Sequence, residues 1–201
     1  YGGKYPFLFG HECTGKVVDC GLGVTEFEAG DRVVIRSWAK GFAEYTLARE
    51  DLTVHLPKKI TYTHGVIGQL MVSCLNIMMK TVKPGDNVYI AGQGPVGLVL
   101  TQLCRLSGAA TIVASDLYAE RLEVAKGLGA DYTINVAIDN AVEELRELFP
   151  EGVDVSIEAA GTIEAFQTCT KVLRRGGKLG AVGLPPEAVT VDVKDWTYLE
   201  E

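Results

Sequence analysis

The sequence predicts an α/β protein in which a doubly wound parallel sheet follows a smaller β-rich region. From about Lys83 onward, short apolar runs alternate with segments whose apolar residues recur at helical spacing. These runs are continuous, which is typical of a parallel sheet covered on both faces. Before that point, short Val-rich runs lie between glycines, as is typical of strands joined by turns.

The β-rich region contains three predicted strands. They lie in "TGKVVDCG" (14–21), "GDRVVIRSW" (30–38) and "FAEYTLA" (42–48), the last of which alternates in the manner of a half-buried strand. Gly30 and Asp31 mark a chain reversal before the second strand. We therefore expect a small β domain at the start of the chain.

The α/β region is predicted to contain about five strands and four helices. The strands lie at 87–92, 111–116, 132–135, 153–161 and 178–183. The helices lie between them, at 95–108, 119–130, 141–149 and 164–177, and Gly129 is expected to close the second helix. The standard doubly wound arrangement has about one strand more than this.

Composition and charge argue against two classes of partner. Hydrophobic residues make up 47% of the 201 residues, yet no apolar run approaches the roughly 18 residues that span a bilayer, and no charged leader is visible. The formal charge of −7 argues against nucleic acid, whose partners usually present basic faces. The chain has five cysteines, an odd number, and none of them form a C-x-x-C pair. This pattern predicts reduced thiols and therefore a cytoplasmic protein.

A glycine-rich turn lies between the first strand and the first helix of the α/β region. "YIAGQGPVGLVL" contains G-x-G-x-x-G at Gly92, Gly94 and Gly97, in the context that a dinucleotide-binding turn requires. Gly92 permits the tight turn, Gly94 leaves room for a pyrophosphate, and Gly97 lets helix and strand pack closely. Pro95 suits the first helical turn, whose free amides favour an anion.

An acidic residue ends the next strand at the expected distance. Asp116 lies 19 positions after Gly97, where its carboxylate would accept hydrogen bonds from the ribose hydroxyls of NAD and repel the 2′-phosphate of NADP. The spacing therefore predicts an NAD site. The alternative interpretation is a glycine-rich αβ turn with Asp116 as a solvated strand end.

Four stretches together resemble the medium-chain dehydrogenase/reductase superfamily, in particular its zinc-type alcohol and polyol dehydrogenases. They lie at 10–34 ("GHECTGKVV…"), 41–60 ("GFAEYTLA…"), 82–109 ("VKPGDNVYIAGQGPVG…") and 115–135 ("SDLYAERL…"). The resemblance implies a partial GroES-like catalytic domain over 1–68 and a Rossmann NAD-binding domain over 69–201, incomplete at its C-terminal end. It also implies hydride transfer between a small alcohol, polyol or sugar derivative, or the corresponding ketone, and the nicotinamide.

The same resemblance suggests further residues of the cofactor site. "EAAG" (158–161) and "VGLP" (182–185) are similar to the family's nicotinamide-side loops, and the helix after Asp116 to its adenosine-ribose side. The cofactor contacts implied in addition to the three glycines and Asp116 are Pro95, Val96, Arg121, Ala160, Val182, Gly183 and Leu184.

The stretch "FGHECTG" (9–15) is similar to the family's zinc-binding segment. The resemblance makes His11 a catalytic zinc ligand and Glu12 its close neighbour. "GQLMVSCLNIM" (68–78) places Gln69 where the family has an acidic or thiolate ligand, and a neutral amide should weaken zinc binding. His55 and His64 are expected to be surface or capping residues, and Cys74 a packing residue.

Two departures from the family pattern shape these expectations. The chain as given contains no cysteine ligand before His11, so we expect the native protein to be longer. Only "IRSWAK" (35–40) joins "GDRVV" to "GFAEY", where the structural-zinc lobe would lie, so one catalytic zinc and no structural zinc are expected. By resemblance alone, the protein is expected to be a homo-oligomer, a dimer or tetramer.

Two other functions stay open from the sequence. One is a zinc-free reductase similar to quinone or enoyl reductases, which Gln69 mildly favours and the His11–Glu12 pair disfavours. The other is a non-catalytic nucleotide-binding protein with an incomplete active site.

Overall fold

The computed structural model describes residues 9–36 and 41–192. The chain divides into two compact units, residues 1–72 and 73–201. The division falls inside one helix, α2 (Ile67–Thr81), as does the domain boundary predicted from the sequence between residues 68 and 69. That boundary stays a prediction.

The first unit contains a three-stranded antiparallel sheet. Its strands, β1 (Glu12–Lys16), β2 (Arg32–Arg36) and β3 (Thr53–His55), pair in the order β1-β2-β3. A 3-10 turn (Glu50–Leu52) precedes β3, and a short helix, α1 (Tyr62–Gly65), leads into α2. Val33 and Ile35 are the buried centre of a small core that includes Cys13, Val17 and Phe27.

The predicted strand at 42–48 is wrong. Residues 42–48 form bends and extended chain without strand pairing, and the large apolar side chains of Phe42, Tyr45 and Leu47 are exposed. The partner of β2 is β3 instead, through pairs such as Val34↔Val54. Alternation of polar and apolar residues shows which side chains share a face, but it does not show whether a neighbouring strand is present.

The second unit is a five-stranded, wholly parallel sheet, so the predicted doubly wound α/β fold is confirmed. The strand order is β6-β5-β4-β7-β8, which corresponds to the 3-2-1-4-5 order of a Rossmann sheet. The strands are β4 (Asn87–Ala91), β5 (Thr111–Asp116), β6 (Tyr132–Asn135), β7 (Val153–Glu158) and β8 (Leu173–Ala181). The helices are α3 (Pro95–Leu106), α4 (Ala119–Gly127), α5 (Ala141–Leu148) and α6 (Ile163–Lys171).

The core of this unit is centred on the strands, with buried side chains of the helices packed against them. Val88, Ile90, Ile112 and Val113 are fully buried, in keeping with apolar runs that are covered on both faces. A glycine ends α4, as predicted: Gly129 follows the helix with a φ of 115°, the left-handed conformation that favours glycine. No helix of the described residues is long and apolar enough to cross a membrane.

The last predicted helix is too long. α6 ends at Lys171, and β8 begins at Leu173. The pairing of β8 with β7 then shifts from Val153↔Leu173 to Val155↔Lys178, so residues 174–177 bulge from the ladder. The side chain of Arg174 donates to Asp154 Oδ1 at 2.6 Å, which ties the bulge to β7.

Asp154 of β7 therefore links β8 and β4 near the amino ends of the parallel strands. Its other oxygen, Oδ2, accepts from the Asn87 amide of β4 at 2.7 Å. Burial acts to raise the pKa of Asp154, but the hydrogen bonds from Asn87 and Arg174, together with the charge of Arg174, outweigh it and lower the pKa. A carboxyl group whose pKa is lowered on folding stabilises the fold above its unfolded pKa, and that contribution is lost as the pH falls through the folded value.

We predict that Asp154→Asn destabilises the chain by about 1 kcal/mol at neutral pH, because a charge-assisted contact with Arg174 is lost. The difference from the unmodified chain should shrink as the pH falls below about 4, the ordinary pKa of an aspartic acid in an unfolded chain, toward the lowered pKa of the folded carboxyl group. Urea unfolding at several pH values measures this. A deficit that does not change with pH would contradict the assignment.

Candidate functional site

The candidate cofactor site lies at the carboxyl end of the parallel sheet in the second unit. Strand β4 is central in this sheet. It pairs with β5, the next strand along the chain, on one side and with β7 on the other. The loops that follow β4 and β7 therefore lie where the strand order reverses, the place where open α/β sheets bind ligands.

The glycine-rich turn has the geometry that the sequence predicted. Gly92 has a φ of 93°, and its amide donates to Ser115 O at 2.8 Å, so the turn begins beside the end of β5. Gly94 is the N-cap of α3 and Pro95 is its first residue. The amides of Val96 and Gly97 lie in the first turn, where no carbonyl within the helix is available to them.

The three glycines differ in what a side chain would meet. A Cβ on Gly97 would lie 1.8 Å from Gly92 O, and one on Gly92 would lie 2.7 Å from the Ala160 amide nitrogen. A Cβ on Gly94 would meet nothing within 4 Å. Gly92 and Gly97 thus allow the chain to close on itself, while Gly94 leaves open space in front of the helix N-terminus.

Asp116 is a buried acid that joins the turn to the next loop. It is 6% exposed; Oδ2 accepts from the Gln93 amide at 2.7 Å and Oδ1 from the Tyr118 amide at 3.0 Å. The guanidinium of Arg121, half-exposed and stacked over the Tyr118 ring, lies 3.4 Å from Oδ2. The alternative that Asp116 is a solvated strand end is therefore wrong.

The loops after β7 and β8 meet around Glu158, the last residue of β7. This side chain is fully buried, and its Oε1 accepts from the amides of Ala160 at 2.8 Å and Gly161 at 2.6 Å. Its backbone carbonyl accepts from the amides of Val182 and Gly183. Leu184, the last of the predicted contacts, is 85% exposed. Sequence reasoning missed Glu158; the available signal was an acid at the end of a predicted buried strand, in the same position as Asp116 at the end of β5.

The predicted cofactor residues lie in the loops at the carboxyl ends of the strands of one parallel sheet. The turn offers free amides and open space for a phosphate group, and Asp116 offers a carboxylate near the end of the neighbouring strand. These residues fit the pyrophosphate and ribose of a dinucleotide.

The candidate zinc ligands lie in the first unit. His11 and Glu12 are exposed at the start of β1, and Gln69 is half-buried in the first turn of α2. Among the described residues, no group of three or more histidine, cysteine or acidic side chains could hold a metal ion. A catalytic zinc takes about three protein ligands, so the described residues do not assemble a zinc site by themselves.

The other candidates for metal or thiol chemistry have ordinary structural contacts. The imidazole of His55 contacts the Phe27 ring and bonds to Glu26 O through Nε2, and His64 lies in α1, whose N-cap Thr61 accepts its backbone amide. All five cysteines are free thiols. Burial and the nearby Cys74 raise the pKa of Cys104 to about 12, so this thiol stays protonated at neutral pH.

The fold and the cofactor-site geometry define a Rossmann-type protein, and comparison with known proteins gives its family. Residues 95–201 match the zinc-binding dehydrogenase family, and residues 1–72 match the alcohol dehydrogenase GroES-like domain. The chain therefore belongs to the zinc-type medium-chain dehydrogenases.

Three similar proteins illustrate the range of this family. A sorbitol dehydrogenase of Bacillus subtilis is 32% identical over 212 residues, covering 90% of this chain and 60% of its own length. A crystal structure of a zinc-binding dehydrogenase from Sinorhizobium meliloti, bound to NADP, has a TM-score of 0.90 at 28% identity, covering 97% of this chain and 67% of that one. Benzyl alcohol dehydrogenase from Acinetobacter calcoaceticus gives 0.91 at 26% identity, with the same coverage.

The chain spans about 60% of the length of the curated relatives it matches, 60% for the B. subtilis sorbitol dehydrogenase and 62% for that of Gallus gallus. Residues of those relatives without a counterpart here amount to more than a third of each protein. The activity of the whole protein is therefore treated below as a proposal.

We predict that alanine at Gly97 and alanine at Gly94 have different effects on stability. Gly97→Ala should lower the melting temperature by several degrees, because its Cβ would overlap Gly92 O, and overpacking costs about 1–3 kcal/mol. Gly94→Ala is the matched control, since its Cβ would enter open space at an ordinary negative φ. Equal melting temperatures for the two variants would contradict the packing described here.

Proposed function

We propose that the protein is an NAD-dependent, zinc-type oxidoreductase that transfers hydride between a small alcohol, polyol or sugar derivative and the nicotinamide. The observation that carries this proposal is the pair formed by the glycine-rich turn and Asp116, linked by the 2.7 Å hydrogen bond from the Gln93 amide. Family membership supports the dehydrogenase chemistry. Relatives named for sorbitol, butanediol and benzyl alcohol support an alcohol or polyol substrate.

The chain's residues would bind and orient the cofactor. In our proposal, the pyrophosphate lies in front of Gly94, where the Val96 and Gly97 amides and the helix dipole favour an anion. The loops containing Ala160 and Val182–Leu184 lie on the nicotinamide side. When bound, the nicotinamide supplies the hydride acceptor or donor.

The charge of Asp116 supports a preference for NAD. A carboxylate has about four acceptor positions, and Asp116 uses two on backbone amides and one on Arg121. The contact with Arg121 is long and the guanidinium is half-exposed, so a ribose hydroxyl can take that position. The 2′-phosphate of NADP would instead face a buried negative charge. The Sinorhizobium relative was solved with NADP, which makes this preference a point for direct measurement.

The zinc part of the proposal rests on the family and on residue types. His11 offers an imidazole and Glu12 a carboxylate, both exposed, while Gln69 offers an amide oxygen. A zinc-free reductase is the second candidate function, favoured by the absence of a three-ligand group among the described residues. A non-catalytic nucleotide-binding role would also leave the protein without zinc, but with cofactor binding intact.

The remaining parts of the proposal concern assembly and location. We propose a cytoplasmic homo-oligomer, a dimer or tetramer, acting on a small molecule and binding neither nucleic acid nor membrane. The free cysteines and the charge of −7 support this location and the absence of a nucleic-acid partner.

We predict that the chain binds NADH at least about tenfold more tightly than NADPH, a difference of about 1.4 kcal/mol. Asp116→Asn should reduce this preference, because it removes the charge that repels the 2′-phosphate while keeping an acceptor for the Gln93 amide. Glu151→Gln is the control, since this exposed residue precedes the start of β7, at the end of the sheet opposite the turn, and its substitution changes the net charge by the same amount. Nicotinamide fluorescence measures both affinities; tighter NADPH binding, or no binding of either, would overturn the cofactor proposal.

We predict about one zinc ion per chain in the native protein, measured by elemental analysis after removal of loosely bound metal. His11→Ala should lose this zinc, whereas His64→Ala should retain it, because His64 lies in α1 outside the predicted ligand set. Zinc-free native protein that reduces an activated alkene would favour the reductase instead. Zinc-free protein that binds NADH without turnover would favour a non-catalytic role.

A further inference from the structure

Glu158 is a fully buried acid whose bonding is uneven. Oε1 accepts two backbone amides, whereas Oε2 has no hydrogen-bond partner among the described residues. An unpartnered buried oxygen of an acidic side chain is costly. The contribution that offsets this cost is the pair of hydrogen bonds that Glu158 accepts from the loop after β7.

The contacts of Glu158 connect two loops that are far apart in sequence. Its carboxylate takes the amides of Ala160 and Gly161 from the loop after β7, at 2.8 and 2.6 Å. Its carbonyl oxygen takes the amides of Val182 and Gly183 from the loop after β8, at 2.9 and 3.0 Å. Four amides from two loops thus converge on one residue.

The packing around Glu158 leaves these loops little freedom. A Cβ on Gly183 would lie 2.2 Å from Glu158 Oε2 and 2.5 Å from the Gly161 nitrogen. A Cβ on Gly92 would lie 2.7 Å from the Ala160 nitrogen. The loop after β7 therefore packs closely against the loops after β4 and β8 at glycine positions. The side chain of Glu158 lies next to these contacts.

We propose that Glu158 is a positioning residue for the nicotinamide half of the cofactor. This assignment rests on the proposed function. It follows from the two loops that Glu158 holds, which contain Ala160, Val182, Gly183 and Leu184. The adenosine half is held independently, by Asp116 at the end of β5. Loss of Glu158 should then weaken contacts to one half of the dinucleotide and spare the other.

The test compares NADH with ADP-ribose, which has the adenosine half and the pyrophosphate but no nicotinamide. We expect Glu158→Ala to weaken NADH binding by about tenfold or more, since two hydrogen bonds to a charged acceptor are lost, and ADP-ribose binding by less than about threefold. Calorimetry of the whole chain gives both affinities. Glu158→Gln keeps one acceptor oxygen for the two amides and should recover most of the NADH affinity.

Ser156→Ala is the matched control for a purely structural effect. Ser156 is buried on the same strand, two residues earlier, and donates at 2.8 Å to Cys169 O, which lies in α6 and not in either loop. We expect it to change the NADH and ADP-ribose affinities equally or not at all. Equal losses of both ligands in Glu158→Ala, or no loss of either, would overturn the inference while leaving the proposed function intact. An unmodified chain that binds neither ligand would overturn the proposed function and this inference with it.

Discussion

The hydrogen bond from the Gln93 amide to Asp116 is the contact on which the geometry of the cofactor site depends. It joins the turn after β4 to the end of β5, next to the bond between the Gly92 amide and Ser115 O. To make both contacts, the chain must turn at once on leaving the sheet, which requires the left-handed conformation of Gly92. The helix that follows then lies so close to the turn that Gly97 has no room for a Cβ.

Two buried acids, one on each side of β4, hold loop backbone in place by accepting hydrogen bonds from its amides. Asp116 ends β5 and Glu158 ends β7, and each accepts two backbone amides near the sheet edge. A charged acceptor makes stronger bonds with amides than a neutral one, so it fixes loops that have no regular structure of their own. The two sites differ in completeness, because both oxygens of Asp116 have hydrogen-bond partners, whereas Oε2 of Glu158 has none within 9–36 and 41–192. That asymmetry makes Glu158 informative about function.

The sequence was sufficient for those parts of the fold that local chemistry determines. Apolar runs predicted the five parallel strands of the described residues, although the strand predicted at 178–183 covers only the end of β8 (Leu173–Ala181). The glycine spacing predicted the turn. Both features reflect burial and backbone conformation at the residues themselves. Strand β3 was missed, because its three residues become a strand only through pairing with β2. The role of Glu158 was missed for a related reason, since its bonds to residues 182 and 183 join segments separated by an entire helix and strand. The predicted site residues as a set stay predictions.

The two candidate sites have unequal structural support within their own units. Around the cofactor site, loops rise from five paired strands whose central residues are completely buried, so local opening there requires disruption of a large apolar core. Around His11 and Glu12, the supporting sheet has three strands and a small core centred on Val33 and Ile35, and both candidate ligands are exposed. A metal bound there would contribute much of the local rigidity itself, because a ligand that binds only the folded form stabilises it by mass action. The geometry of the candidate cofactor site, by contrast, is already present in the folded chain.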